Sequence, residues 1–106
     1  MADEPNNARD SFGDIAPQLA EITDRTLFGT VWEDQTLSPR ERSLVTITTL
    51  VAQYRHNELG FHLKKGLENG LSKEEIIAAI THIAFYAGWP SAMTGIQQAR
   101  KAFEDA

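Results

Sequence analysis

Apolar residues recur every three or four positions along most of the chain, which is the spacing of one face of an α-helix. Between residues 73 and 87 this stripe consists of Ile76, Ile80, Ile83 and Ala87. A second stripe with the same spacing consists of Leu59, Leu63 and Leu67. It predicts a helix over about residues 57–69 that ends at Gly70, a residue suited to the left-handed backbone after a helix. The pattern therefore predicts an all-α fold.

Two capping boxes indicate where helices begin. In both Ser38-Pro39-Arg40-Glu41 and Ser72-Lys73-Glu74-Glu75 a serine precedes a glutamate by three residues, so each side chain can bind a free backbone amide of the first turn. Residues 44–52 follow the first box and are rich in β-branched side chains, which are typical of strands. The cap favours a central helix, with broad apolar surface buried on most sides and threonine hydroxyls bonded to the preceding turn.

The N-terminal part of the chain predicts an arm followed by one helix. Residues 1–14 are polar and lack the apolar surface that would stabilise an ordered structure, so we expect a flexible arm there and a helical domain over residues 15–106. Within that domain, spacing predicts a first helix from Pro17 to about Gly29. A loop is expected over residues 30–37, with Trp32 packed on an apolar surface.

The C-terminal part predicts two helix hairpins. Gly88-Trp89-Pro90 interrupts the chain, because proline disfavours helical backbone at the residue before it. Ser91 is then expected to cap a last helix that ends near Phe103. Short connections pair the helices into hairpins over residues 39–69 and 73–103.

Composition limits the classes of function. A chain of 106 residues, 42% of them hydrophobic, has the size of one compact domain. Its net charge of -5, with ten scattered lysines and arginines, argues against a nucleic-acid surface. Apolar runs fall short of the roughly 20 residues that span a bilayer, and Met1 to Asp10 has no apolar signal-peptide core. We therefore expect a cytoplasmic protein without membrane contact.

The chain contains no cysteine, so disulfides, thiolate nucleophiles and thiol redox couples are excluded. Glycine-rich phosphate loops and the GxSxG nucleophile elbow are absent from the sequence as well. Any chemistry then depends on His, Glu, Tyr and Arg.

The first candidate pair is Glu58 and His62, which lie four residues apart and face the same way on a helix. A carboxylate beside an imidazole can orient the ring and raise its basicity, which suits proton transfer near neutral pH. The pair lies on the flank of the Leu59 stripe, where a cleft can open. A solvated structural pair is the competing interpretation.

A second pair, His82 and Tyr86, has the same spacing beside the next apolar stripe. Its two side chains either form hydrogen bonds of the core or wall a site in which the phenol donates to a substrate oxygen. Trp89 is expected to be a packing or interface aromatic at the edge of this site. Arg42 either forms an ordinary ion pair or binds a substrate carboxylate.

A metal site is the less favoured interpretation of the histidines. Helical geometry places His56 about 120° from His62, so His56, Glu58 and His62 cannot converge on one ion. A site that combines Glu58 and His62 with His82 stays open. We predict no metal and no cofactor.

Four segments together carry a resemblance to a known family. They are Leu37 to Thr46 (LSPRERSLVT), Glu58 to His62 (ELGFH), Asn69 to Ile76 (NGLSKEEI) and Tyr86 to Ala92 (YAGWPSA). In this combination the sequence resembles the carboxymuconolactone decarboxylase family over about residues 37–103. The resemblance implies an all-helical fold of the alkylhydroperoxidase D-like type, assembled as a homo-oligomer, commonly a trimer or hexamer.

Relatives in the same superfamily carry a Cys-x-x-Cys motif with a histidine four residues after the second cysteine. Aligned on His62, the two cysteine positions fall on Arg55 and Glu58. The resemblance therefore does not extend to thiol peroxidase chemistry.

The decarboxylase branch implies a cofactor-independent enzyme acting on a small carboxylated lactone or unsaturated acid. By this resemblance His62 donates a proton, Glu58 orients it, and Arg42 or Tyr86 binds substrate oxygens, with His82 and Trp89 beside them. The family often has His in place of Asn57 and Gln in place of His82, so the substrate is left open. The alternative is a helical oligomer that binds a small ligand without turning it over.

Overall fold

The computed structural model describes residues 7–106, which divide into two compact units. One unit ends at Thr36 and the other comprises Leu37–Ala106. The described residues are helical and contain no strand, so the predicted all-α class is confirmed.

The first described element of the N-terminal unit is a short helix, α1 (Ala8–Phe12). The carboxylate of Asp24 accepts hydrogen bonds from the backbone amides of Ala8 at 2.8 Å and Arg9 at 3.0 Å, which satisfies two free donors at the start of α1. The predicted arm over residues 1–14 lies partly outside the described residues, and its boundary stays a prediction.

The first predicted helix is present but changes from α-helical to π-helical geometry along its length. Helix α2 (Pro17–Ile22) passes into a π-helical segment over Thr23–Val31. There, Thr30 donates its hydroxyl to the carbonyl of Arg25 at 3.2 Å, five residues back. The helical region therefore continues to Val31, and the loop predicted to begin at residue 30 is shorter. Trp32 packs on Phe28, with ring centroids 5.7 Å apart, as expected for an apolar contact.

The C-terminal unit is a bundle of four helices: α3 (Pro39–Ala52), α4 (His56–Glu68), α5 (Lys73–Ala87) and α6 (Trp89–Asp105). Both predicted capping boxes are confirmed. Ser38 accepts from the amide of Glu41 at 3.1 Å and Ser72 from that of Glu75 at 3.0 Å, and both glutamates bond back to the serine amides.

The last helix starts earlier than predicted. Ser91 is not its cap, because α6 begins at Trp89 and follows directly on Gly88. Gly88 has φ of 101°, a left-handed conformation that turns the chain between α5 and α6 without a connecting loop. Pro90 then lies in the first turn of α6. Backbone amides in this turn have no carbonyl partner within the helix, so proline, which lacks an amide hydrogen, costs no hydrogen bond there.

The two predicted hairpins pack side by side in the same direction. Helix α3 packs on α4 and α5, and α6 packs on α5, α4 and α3. An ion pair joins Arg40 to Glu75 near the starts of α3 and α5, and Lys64 lies 3.6 Å from Asp105 between α4 and α6. Helices α4 and α5 therefore occupy opposite corners, on either side of the contact between α3 and α6.

The core fills the space between the four helices. Its largest fully buried side chains are Ile47, Leu59, Leu63, Ile76 and Ile80. Helix α3 is packed on three neighbours, as its apolar surface predicted, but Val45 and Thr49 face outward. The hydroxyls of Thr46, Thr48 and Thr49 bond to carbonyls of the preceding turn, also as predicted. Within residues 7–106, none of the helices is long and apolar enough to cross a membrane.

Candidate active site

One flank of α4 carries the principal candidate residues. Glu58, His62, Lys65 and Asn69 follow one another at spacings of four, three and four, so they form one stripe on the helix. Asn69 donates its side-chain amide to the hydroxyl of Ser43 on α3 at 3.0 Å. The stripe therefore adjoins α3. We call it the α4 flank.

The facing residues of α3 are Arg42, Thr46 and Leu50, which are half-buried and border the buried Ser43 and Ile47. Two contacts define the register between α3 and α4, which run antiparallel. Ser43 lies opposite Asn69, and a Cβ added to Gly66 would lie 2.9 Å from the Ile47 side chain. Continued along both helices, this register places Leu50 level with His62 and Thr46 near Lys65.

His62 is half-buried, and its ring meets that of Phe61 edge-on, with centroids 5.0 Å apart. Burial lowers the pKa of His62 below its usual 6.5, and the positive charge of Lys65 lowers this pKa further. The pKa of His62 is thus shifted in the direction opposite to the one expected from a neighbouring carboxylate. The carboxylate of Glu58 is exposed to water, whereas the imidazole loses solvation.

Arg42 lies farther from His62 than the sequence suggested. In the observed register Arg42 is level with Gly70, eight residues beyond His62, which amounts to about 12 Å along the axis. Helical side chains lean toward the N-terminus of their helix, so Arg42 leans away from His62. The register therefore places Arg42 and His62 at different points along the contact between α3 and α4.

His82 and Tyr86 form a ring pair on α5, with centroids 5.1 Å apart. Both are exposed, and the side chain of Tyr86 is 76% exposed. Because α5 is diagonally opposite α4, one chain does not bring this pair together with His62. Within one chain, both rings are exposed on α5 and lie apart from the α4 flank, so their role as a site wall stays a prediction.

Trp89 contributes to a different surface. Its ring meets that of Phe85 edge-on at 5.4 Å, and it borders a groove of about 310 Å³ between α5 and α6. The other residues that line the groove are Ile80, Thr81, Ala84, Ala92, Met93, Ile96 and Gln97. Trp89 is a packing aromatic of this groove and lies apart from the α4 flank.

The described residues hold no group of three His, Asp or Glu side chains placed to bind a metal ion. His62 and His82 are on helices at opposite corners, so the open combination of Glu58, His62 and His82 does not form within one chain. His56 faces away from this flank, beside Tyr54 at 5.1 Å between ring centroids.

Sequence reasoning did not single out Lys65, whose charge lowers the pKa of His62. Its position three residues after His62 could have indicated a shared flank. The sequence alone did not show which flank of α4 adjoins α3, because that depends on the Asn69 to Ser43 contact.

Comparison with known proteins gives the family. The sequence profile of the carboxymuconolactone decarboxylase family matches residues 17–101. The chain belongs to the carboxymuconolactone decarboxylase family. The resemblance inferred from the motifs is confirmed, and the match extends N-terminal to residue 37.

Two relatives in the family are similar along most of the chain. A 4-carboxymuconolactone decarboxylase of Acinetobacter baylyi is 33% identical over 94% of this chain and 75% of its own length. A nitrosuccinic acid decarboxylase of Metarhizium robertsii is 33% identical over 80% of this chain and 59% of its own length. The chain thus spans less than two thirds of the second relative.

Proposed function

We propose that this protein is a decarboxylase that removes CO2 from a small, activated carboxylic acid by proton transfer, without a cofactor. The observation that carries the proposal is His62, a half-buried imidazole on the α4 flank whose pKa is influenced by Lys65, in a chain of this family. The two relatives named for decarboxylases support the reaction class.

The substrates in the relatives' names share a chemical property. Carboxymuconolactone and nitrosuccinic acid both carry a carboxylate whose loss leaves a carbanion delocalised onto oxygen, through an unsaturated lactone or through a nitro group. Such a reaction needs an environment that accepts negative charge on oxygen and a proton donor for carbon. We infer that this chain acts on an acid of the same type.

In the proposed mechanism, the bond between carbon and the carboxylate breaks, CO2 leaves, and the electron pair stays in the delocalised anion. Protonated His62 then donates its proton to carbon and regains one from solvent, so the overall reaction consumes one proton. In the free chain, burial and Lys65 favour neutral His62. An anionic substrate beside the ring opposes both effects and favours the protonated form.

The test measures CO2 release from 4-carboxymuconolactone and from nitrosuccinic acid, each corrected for the spontaneous reaction. We expect turnover of at least one acid and a loss of about 100-fold or more in kcat for His62→Ala. The matched control is His56→Ala, which removes an imidazole of the same helix that lies beside Tyr54 and faces away from the α4 flank. Equal rates for His62→Ala and the unaltered protein would contradict the role of His62.

We also propose that the protein assembles as a homo-oligomer and that His82 and Tyr86 act only across a subunit contact. Phe85, Tyr86, Trp89 and Met93 support this, because each is more than half exposed. Phe85 also contacts Trp89, and Trp89 and Met93 border the same groove. Sedimentation velocity should show a species larger than the monomer, and Phe85→Ser should shift it toward monomer. A monomeric wild-type protein would contradict assembly.

A further inference from the structure

A second groove between α5 and α6 combines an apolar floor with two cations. It lies between the start of α5 and the end of α6 and has a volume of about 420 Å³, which is within the range of small-molecule sites. The residues that line it are Lys73, Ile77, Ile96, Arg100, Phe103 and Glu104. We call it the Phe103 groove. It shares no residue with the α4 flank and is therefore a separate surface.

The floor of the Phe103 groove consists of Ile77, Ile96 and Phe103. All three are half-buried and pack against the core of the bundle, so part of each side chain is exposed in the groove. An apolar group that covers this floor removes it from water, which is favourable in proportion to the area covered. The floor therefore favours a ligand with an apolar portion.

Lys73 and Arg100 are the cations of the groove. Within residues 7–106 neither forms an ion pair with a carboxylate, whereas Arg40 and Lys64 each have one. The ammonium of Lys73 lies 5.6 Å from the centre of the Phe103 ring, so this charge is held beside the apolar floor. Both cations can therefore bind an anion whose apolar portion lies on that floor.

The directions of the helices place both cations at one end of the floor. Ile77 follows Lys73 by four residues on α5, and Ile96 precedes Arg100 by four residues on α6, which is about 6 Å along each helix. Because the two helices form an antiparallel hairpin, both steps run in the same direction. A ligand can therefore place one charged end beside the cations and extend an apolar chain over the isoleucines.

We propose that the Phe103 groove binds a monocarboxylate with an apolar chain, of about six to eight carbons in total. Lys73 and Arg100 bind the carboxylate, and the chain covers the floor. Glu104 also lines the groove, so two cations and one carboxylate leave one excess positive charge. This excess matches a single negative charge on the ligand. The proposal goes beyond the decarboxylase function and does not depend on it, because it uses no residue of α4.

The experiment adds octanoate, butyrate or octanamide to the protein and follows the methyl resonances of Ile77 by NMR. Octanoate has both the charge and the apolar chain, butyrate has a shorter chain, and octanamide lacks the charge. We expect octanoate to bind about tenfold more tightly than either of the other two. Equal binding of octanoate and octanamide, equal binding of octanoate and butyrate, or no response of Ile77 would overturn the proposal.

Lys101 supplies a matched control for Arg100. It is the neighbouring residue, has the same charge and is also exposed, but it does not line the groove. Arg100→Met and Lys101→Met therefore change the net charge of the protein equally. We expect Arg100→Met and Lys73→Met each to weaken octanoate binding about fivefold and Lys101→Met to leave it unchanged. Equal losses in Arg100→Met and Lys101→Met would contradict direct contact with the carboxylate.

His62→Ala separates this groove from the proposed active site. Octanoate binding is read at Ile77 and needs no turnover, so we expect His62→Ala to bind octanoate as the unaltered protein does. Binding that persists in a protein without decarboxylase activity would support the groove and contradict only the proposed function. Loss of octanoate binding in His62→Ala would overturn a separate site in the Phe103 groove.

Discussion

The side chain of Asn69 donates a hydrogen bond to the hydroxyl of Ser43 at 3.0 Å, joining the end of α4 to the start of α3. Ser43 is fully buried, so this bond satisfies a polar group inside the bundle. The bond also fixes which residues of α3 face the α4 flank. The spacing between Arg42, Lys65 and His62 follows from it.

Removing one partner of this bond should destabilise the fold. In Asn69→Ala the buried hydroxyl of Ser43 loses its donor, and we expect a loss of about 1 to 3 kcal/mol in the free energy of unfolding, measured by urea denaturation. The double variant Asn69→Ala with Ser43→Ala should recover part of that loss. Equal stability of Asn69→Ala and the unaltered protein would contradict a structural role for the bond.

Two glycines of α4 should respond oppositely to alanine. At Gly66 an added Cβ would lie 2.9 Å from Ile47 and 3.1 Å from Leu71, so we expect Gly66→Ala to destabilise by about 1 to 3 kcal/mol. At Gly60 an added Cβ meets nothing within 4 Å, and Gly60→Ala should stabilise the helix by up to about 1 kcal/mol. Thermal denaturation of both variants checks the difference in sign.

The helix caps give a second matched pair. Ser72 accepts the amide of Glu75 at 3.0 Å, and its replacement by alanine should cost about 1 kcal/mol. Ser91 looks like a cap in the sequence but lies inside α6, so Ser91→Ala should leave the free energy of unfolding nearly unchanged. A larger loss for Ser91→Ala than for Ser72→Ala would contradict the observed start of α6.

The lowered pKa of His62 makes stability depend on pH. As pH falls below 6.5, His62 becomes protonated in the unfolded chain before it does so in the folded chain. The stabilising contribution of His62 is therefore fully present only above pH 6.5. This contribution is lost as pH falls through the lower folded pKa. NMR titration should place the His62 pKa below 6.5, and Lys65→Met should raise it. A value at or above 6.5 in the unaltered protein would contradict the prediction.

Local signals in the sequence predicted most of the fold. The capping boxes at Ser38 and Ser72 and the leucine stripe of α4 depend on neighbours within one or two turns, so the helices and hairpins were predictable. The start of α6 was not, because the left-handed backbone of Gly88 lets Trp89 enter the helix directly.

The candidate site was predictable only in part. His62 followed from helical spacing and from the family resemblance. Its distance from Arg42 depends on the register between α3 and α4, and the outward direction of Tyr86 depends on which corner of the bundle α5 occupies. Both are properties of tertiary packing, which a single helix does not encode.

The parallel arrangement of the hairpins places the starts of α3 and α5 next to each other, so the positive ends of two helix dipoles meet at one end of the bundle. The carboxylates of Glu41 and Glu75 lie there. The backbone amide of Ser38 donates a hydrogen bond to Glu41, and that of Ser72 donates one to Glu75. These bonds are the main cause that lowers the pKa of both carboxylates below 4.5. Each charge is therefore retained to a lower pH than in an ordinary glutamate and is lost in stronger acid. Acidification should loosen this end of the bundle first, through both hairpins at once.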